Sequence, residues 1–397
     1  MFIFNQLWFA WQNLYSTWGI PLGRYIFPMT DPQVRYWPPL ARWIQWLTFF
    51  WLSIGLWFLI SASYPSGQLE FGDGLYYVRR QLAWILIGLW GFHGIIHQPL
   101  RNLLKMSRWG LCLSGLAILA TLVQGVVING SSRWLAMGPI LLQPSEWAKP
   151  FLILEASRLF GLWPSITWRV RLLWLTLMAL MVLGILAQPN LSTAGLCGLL
   201  LWLLAWLGGL SKNVLLGVGC MGGGVGILSL SLREYQRNRI ISFLNPWNYS
   251  TDEGYQLVQS LLAVGSGGIQ GSGWGLSHQK LFYLPIQYTD FIFSVLAEET
   301  GLIGGWLLLG LLGGYGIIGF LIGLQANDPI HRLIALGSVM TLVGQSILNL
   351  GVAIGILPTT GLPLPFFSYG GNAVVSSLWM AGLLIRVARE SRTDLSP

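Results

Sequence analysis

The chain has 397 residues, 54% hydrophobic and only 9% charged, with a formal net charge of +8. Soluble domains carry about 25% charged residues, so the composition excludes a soluble globule and points to a polytopic helical membrane protein. In that class excess Lys and Arg mark cytoplasmic loops, so the positive balance gives no argument for nucleic acid.

Residues 1–41 are rich in Trp, Tyr and Pro and lack an apolar core ending in a small-residue cleavage site. They read as a cytoplasmic tail that is either interfacial or poorly ordered. Ten apolar stretches follow, each near the roughly 20 residues a helix needs to cross a bilayer. They fall at about 43–62, 81–97, 109–129, 145–160, 171–187, 191–210, 213–232, 290–323, 332–356 and 371–388. The expected fold is an all-α bundle of about ten transmembrane helices over residues 42–390, with 391–397 as a cytoplasmic C-terminal tail. The eighth span is longer than needed and is expected to kink at Gly301, Gly304 or Gly305. With both termini in the cytoplasm, most basic residues, including Arg101, Lys105, Arg108, Arg169 and Lys212, fall on that side. Residues 233–289 then form one large external loop. It holds a re-entrant or interfacial stretch from Tyr255 to Val264 and a glycine-rich run from Gly265 to Gly275. Cys112, Cys197 and Cys220 fall within spans and read as packing residues. His93 and His97 stand four apart without a third ligand, which favours packing over a metal site.

Four stretches carry candidate chemistry. The first runs from Arg133 to Lys149, RWLAMGPILLQPSEWAK. Pro144 suits a first helical turn, Ser145 can cap it, and Glu146 and Lys149 share a face at i, i+3. The cluster is either helix-end chemistry or the wall of a polar cavity, with Glu298 or Glu299 as candidate partners for Lys149. The second, QPNLSTA from Gln188, offers Asn190 or Ser192 as a cap. The third is YTDFIFSVLAEETG. Asp290 stands at the threshold of a span, either as an acid favoured by the helix dipole or as a base at the water edge. Glu298 and Glu299 lie eight and nine residues deeper, about 12–14 Å along a helix, where a carboxylate must find partners. The fourth, 357–372, is an uncharged loop containing Ser368, whose glycine amides can approach an anion. The external basic residues, among them Arg133, Arg239 and Lys280, have external acids to pair with. Any left over would suit the phosphates of a lipid carrier.

Together RWLAMGPILLQPSEWAK, QPNLSTA, YQLVQSLLAVGSGG, YTDFIFSVLAEETG and PTTGLPLPFFSYGG, in this order, resemble the SEDS family (shape, elongation, division and sporulation proteins) over about residues 42–390. Asn245-Pro-Trp followed by Gly254-Tyr-Gln-Leu-Val-Gln-Ser is more similar to the division-type branch than to the elongation type. The resemblance implies a peptidoglycan glycosyltransferase that polymerises lipid II into β-1,4-linked strands at the outer face of the bacterial cytoplasmic membrane. It also implies a cognate class B penicillin-binding protein and other division proteins as partners. Asp290 matches the family's essential aspartate and takes the role of general base. Arg133 and Lys280 are candidates for the diphosphate, with Gln143 and Ser368 as further substrate contacts. Glu146, Lys149, Glu298 and Glu299 would organise the cavity or brace the bundle. Three departures bear on the site. The family usually has Glu and His where Ile286 and Tyr288 stand, and Asp where Asn190 stands, so Asn190 cannot act as a carboxylate. No dedicated metal ligands are visible, and a divalent cation (Mg or Mn) stays open as an assistant. The alternatives are a lipid II flippase, with Glu298, Glu299 and Lys149 along a translocation path, an elongation-type polymerase, or a scaffold for division proteins.

Overall fold

The computed structural model describes residues 32–128, 131–138 and 140–393. Residues 1–31 of the expected N-terminal tail (1–41) and 394–397 of the expected C-terminal tail (391–397) lie outside the described residues. Three long helices open the bundle: α1 (Pro39–Phe71), α2 (Tyr76–His97) and α3 (Leu100–Gln124). A small sheet follows, made of β1 (Val126–Ile128), β2 (Ser131–Met137) and β3 (Ile140–Leu142). Then come α4 (Pro144–Gly161), α5 (Trp168–Ala187), α6 (Leu191–Leu207), α7 (Lys212–Leu232), α8 (Glu234–Leu244) and α9 (Tyr255–Ser266). The chain closes with α10 (Ile292–Gln325), α11 (Pro329–Ala353) and α12 (Gly371–Thr393). All ten expected spans are present as long helices. Alternating chain direction brings the connections α1–α2, α3–α4, α5–α6, α7–α10 and α11–α12 to one end of the bundle.

One expectation is corrected. The third span starts at Leu100 rather than 109, because the helix continues through Arg101, Lys105 and Arg108 beyond its apolar part. It ends at Gln124, and the β-branched residues after Gly125 open an antiparallel sheet in the order β1-β2-β3. The re-entrant or interfacial stretch is α9, a helix packed on α10 and α11.

Burial separates centre from rim. The most apolar window of α12 is 83% buried and that of α11 72%, against 11% for α7. So α11 and α12 form the axis and α7 faces outward. Lipid tails are as apolar as the side chains, so helices associate through close packing rather than water exclusion. Gly319 and Gly323, one turn apart on α10, accordingly face Val339 and Leu336 of α11. The charges of α4 are turned inward and paired. Ser107 Oγ donates to Glu155 Oε1 at 2.5 Å, and Arg158 lies 3.8 Å from the same carboxylate.

Helix α10 is broken at Gly301, whose φ of 64° and ψ of −160° suit glycine. A break frees carbonyls before it and amides after it, and at membrane depth each needs a partner. The glycine-rich run supplies them. Ser272 and Gly273 N–H donate to the Glu298 and Glu299 carbonyls at 2.9 and 3.0 Å. Leu302 and Ile303 N–H donate to the Gly268 and Ile269 carbonyls at 2.9 and 3.2 Å. A Cβ at Gly271 or Gly301 would run into the other strand of this splice.

Candidate active site

The connections at this end surround a cavity of about 1060 Å³. Arg80 and Trp84 of α2, Arg133 of β2, and Gln143 and Glu146 at the start of α4 line one part of it. Asn190, Arg239 of α8, Tyr288, Thr289, Asp290, Gly361 and Tyr369 line the rest.

The backbone leading to Asp290 is irregular and is held one residue at a time. Gln287 Nε2 donates to the Ala62 carbonyl at 3.0 Å. The Tyr369 N–H donates to the Tyr288 carbonyl at 2.8 Å. Ser368 Oγ donates to the Thr289 carbonyl at 2.6 Å, and Asn349 Nδ2 to the Asp290 carbonyl at 2.7 Å. Asn349 also donates to the Leu362 carbonyl at 2.8 Å, and Gln345, one turn earlier on α11, to the Pro363 carbonyl at 2.7 Å. One helix thus grips both walls around Asp290. The grip sustains strain at Ile286, a β-branched residue at φ 51°, where the left-handed conformation costs about 1–3 kcal/mol.

Asp290 does not cap α10, since Phe291 holds the N-cap position. Its carboxylate borders the cavity, where a Cβ on Gly361 would stand 3.4 Å from Oδ2. Gly361 has a φ of 69°, so glycine both permits the turn and leaves the carboxylate uncovered. Burial pushes the Asp290 carboxyl above the ordinary aspartate range, and the Arg133 and Arg239 guanidiniums pull it partly back. Arg239 is steadied by the Thr359 carbonyl at 3.3 Å, and Arg80 by the Tyr76 hydroxyl at 3.0 Å. Burial also raises the Tyr288 hydroxyl above its usual range, which keeps it protonated at neutral pH.

The fold brings Asp290, Arg133, Gln143 and Glu146 to one cavity. Lys149 stands behind it and donates to Glu146 Oε1 at 2.6 Å and Gln345 Oε1 at 2.8 Å. Its partners are therefore in α4 and α11, not Glu298 or Glu299. Lys280 does not line the cavity, which corrects its expected substrate role. It is 4% exposed, and its Nζ donates to Glu299 Oε1 and Ser61 Oγ, both at 2.7 Å. A buried ammonium needs such a partner, and Glu299 neutralises it. Ser368 is likewise withdrawn, its hydroxyl committed to Thr289 and to the Leu364 N–H at 2.8 Å. Glu298 accepts from Ser277 Oγ at 2.5 Å and from the His278 and Gln279 N–H groups at 2.9 and 3.2 Å. Asn190 caps α6 by accepting from the Thr193 N–H at 3.3 Å, whereas Ser145 caps nothing. Sequence reasoning left Tyr369 out of the site and counted Arg80 and Arg239 only among the external basics. The signal for the arginines was positive charge on the side where it is disfavoured. Among the described residues no three His, Cys, Asp or Glu side chains converge on a metal site. Asp290, beside the Arg133 and Arg239 guanidiniums, does not fit a resident divalent cation.

The ten-helix frame has known counterparts. The family model for FtsW, RodA and SpoVE, described as "Cell cycle protein", matches residues 42–393. An FtsW-named chain of Mesostigma viride is 53% identical over 370 residues, covering 93% of this chain and 89% of that protein. The Synechocystis sp. protein named "Probable peptidoglycan glycosyltransferase FtsW" is 50% identical over 371 residues, covering 93% of this chain and 94% of its own. A solved structure described as "Structural coordination of polymerization and crosslinking by a peptidoglycan synthase complex" superposes with a TM-score of 0.69 at 28% identity, covering 88% of this chain and 97% of that one. Thermus thermophilus RodA superposes with a TM-score of 0.64 at 28% identity, covering 87% of this chain and 96% of its own. On sequence and fold, the chain belongs to the FtsW/RodA/SpoVE family of cell cycle proteins.

Proposed function

We propose that this chain polymerises lipid II with Asp290 as general base. The chain is a multi-pass membrane protein and a peptidoglycan glycosyltransferase of its family. The observation that carries the finer reading is a carboxylate on firmly held backbone at the border of a cavity of about 1060 Å³, its pKa raised by burial and checked by two arginines. A base works best with a pKa near the operating pH, and positioned proton transfer supplies about 10²–10⁴ in rate.

The 4-hydroxyl of the lipid II GlcNAc enters beside Asp290, whose carboxylate takes the proton. The freed oxygen bonds to the anomeric carbon of the MurNAc that ends the growing strand. The bond from that carbon to undecaprenyl diphosphate breaks, and the diphosphate leaves with the electron pair. A single displacement turns the α-linked donor into a β-1,4 bond. Arg133, Arg239 and Arg80 supply positive charge where the leaving group becomes more negative. Glu298, Glu299 and Lys149 are committed to buried contacts, which supports polymerisation over a translocation path.

The cavity end faces outward and both termini face the cytoplasm, as the basic residues at the other end of the bundle favour. FtsW-named relatives support a role in division. The synthase complex that this fold resembles supports a crosslinking partner, a class B penicillin-binding protein. The decisive experiment is polymerisation of lipid II by the purified chain with that partner, wild type beside Asp290→Asn. Polymer from the first and none from a folded second variant supports the reading; equal polymer from both removes Asp290 as base.

A further inference from the structure

One hydrogen-bonded chain beside the cavity has no part in the mechanism above. Glu70, exposed near the end of α1, accepts from the Tyr77 hydroxyl at 2.5 Å. Tyr77 in turn accepts from the Tyr288 hydroxyl at 2.9 Å. The two rings lie 4.4 Å apart, and Tyr369 meets them edge-on at 5.0 and 5.8 Å. Tyr77 and Tyr288 are 7% and 8% exposed, and Tyr288 and Tyr369 line the cavity.

A hydroxyl has one proton to give and two lone pairs that accept. An ionised carboxylate only accepts, so Tyr77 commits its proton to Glu70. The Tyr77 oxygen is then an acceptor, and Tyr288 commits its proton to Tyr77. The polarity is fixed from the surface inward. Tyr288 is left with an oxygen lone pair and no proton to offer, so toward the cavity it is an acceptor only. It stands two residues before Asp290, on backbone that Tyr369, Ser368 and Asn349 hold in place.

We propose that Tyr288 accepts a hydroxyl or amide N–H from the amino sugar held beside Asp290, and that Tyr77 and Glu70 are positioning residues that enforce this polarity. The inference rests on the cavity being the lipid II site. It also accounts for the departure at this position, because a neutral imidazole, like the phenol in this chain, presents an acceptor.

Binding rather than turnover tests it. The full chain carrying Asp290→Asn, reconstituted in nanodiscs, is titrated with lipid II and, separately, with sugar-free undecaprenyl diphosphate. Adding Tyr288→Phe weakens lipid II binding by about three- to tenfold, the worth of one neutral hydrogen bond, and leaves the sugar-free lipid unchanged. Tyr288→His restores lipid II binding to within about twofold of the parent, and Glu70→Leu, which releases the Tyr77 proton, costs about two- to threefold. Unchanged lipid II binding in Tyr288→Phe overturns the proposal, as does equal weakening toward both lipids. A parent that binds neither lipid overturns the reading of the cavity itself, and the proposal with it.

Discussion

Asp290 and the pair Glu298–Glu299 lie within ten residues on one segment, yet the fold treats them in opposite ways. The deeper pair is bonded inward. Glu298 gathers one hydroxyl and two amides, and Glu299 holds the Lys280 ammonium and the Ser61 hydroxyl. Asp290 has its backbone carbonyl fixed by Asn349 while its carboxylate borders a cavity. A buried carboxylate alone therefore says little about chemistry. What separates the two is whether the carboxylate is closed in with a buried partner, as Glu299 is with Lys280, or borders an open cavity, as Asp290 does.

The contrast breaks most sharply at Asp290. Asp290→Asn is expected to lower polymerisation by at least about 10²-fold, read as glycan strands on a gel. Its stability should move the other way. Folding raises this carboxyl's pKa, so ionising it above that pKa costs the folded state, and the neutral amide removes the cost. The thermal midpoint of Asp290→Asn at neutral pH should equal or exceed that of wild type. Lys280→Met, at the brace, should instead lower unfolding stability by about 3–5 kcal/mol by leaving Glu299 buried without its cation. Lys280→Met with Glu299→Met should recover most of that loss in denaturant titration. Arg133→Gln and Arg239→Gln test the electrostatics of the open site. Each should cut the rate by about 10²-fold and move the acidic limb of the pH–rate profile to higher pH, because each arginine holds the Asp290 pKa down. Wild type should already show that limb above the ordinary aspartate range. The smallest effect belongs to Asn190→Ala, which removes a cap on α6 and should cost about 1 kcal/mol in thermal unfolding, while Asn190→Asp keeps the cap.

The ten spans were legible because a helix crossing lipid must be apolar for about 20 residues, and little else in a sequence looks like that. The sheet after α3 was not, because Val126, Val127 and Ile128 resume the apolar run only two residues, Gln124 and Gly125, after Val123 and so read as the end of the same span. The kink at Gly301 was legible as a glycine cluster, but its filling by residues 268–273 is a long-range pairing with no local signature. The site was partly legible for a similar reason. Arg133, Gln143, Glu146 and Asp290 could be placed near one another by the connections that carry them. Lys280 misled because its charge on an external loop suits a phosphate equally well, and only the fold reveals that Glu299 has claimed it.

The splice between the glycine run and α10 also decides where this chain can be dissected. Residues 268–273 complete the hydrogen bonding of a helix that begins only at Ile292, so an epitope tag or protease site inserted there would unzip α10 beneath the Asp290 segment. The exposed Thr251–Glu253 stretch of the same connection has no such duty. A label for imaging or purification belongs there, and its neighbours twenty residues downstream should be left untouched.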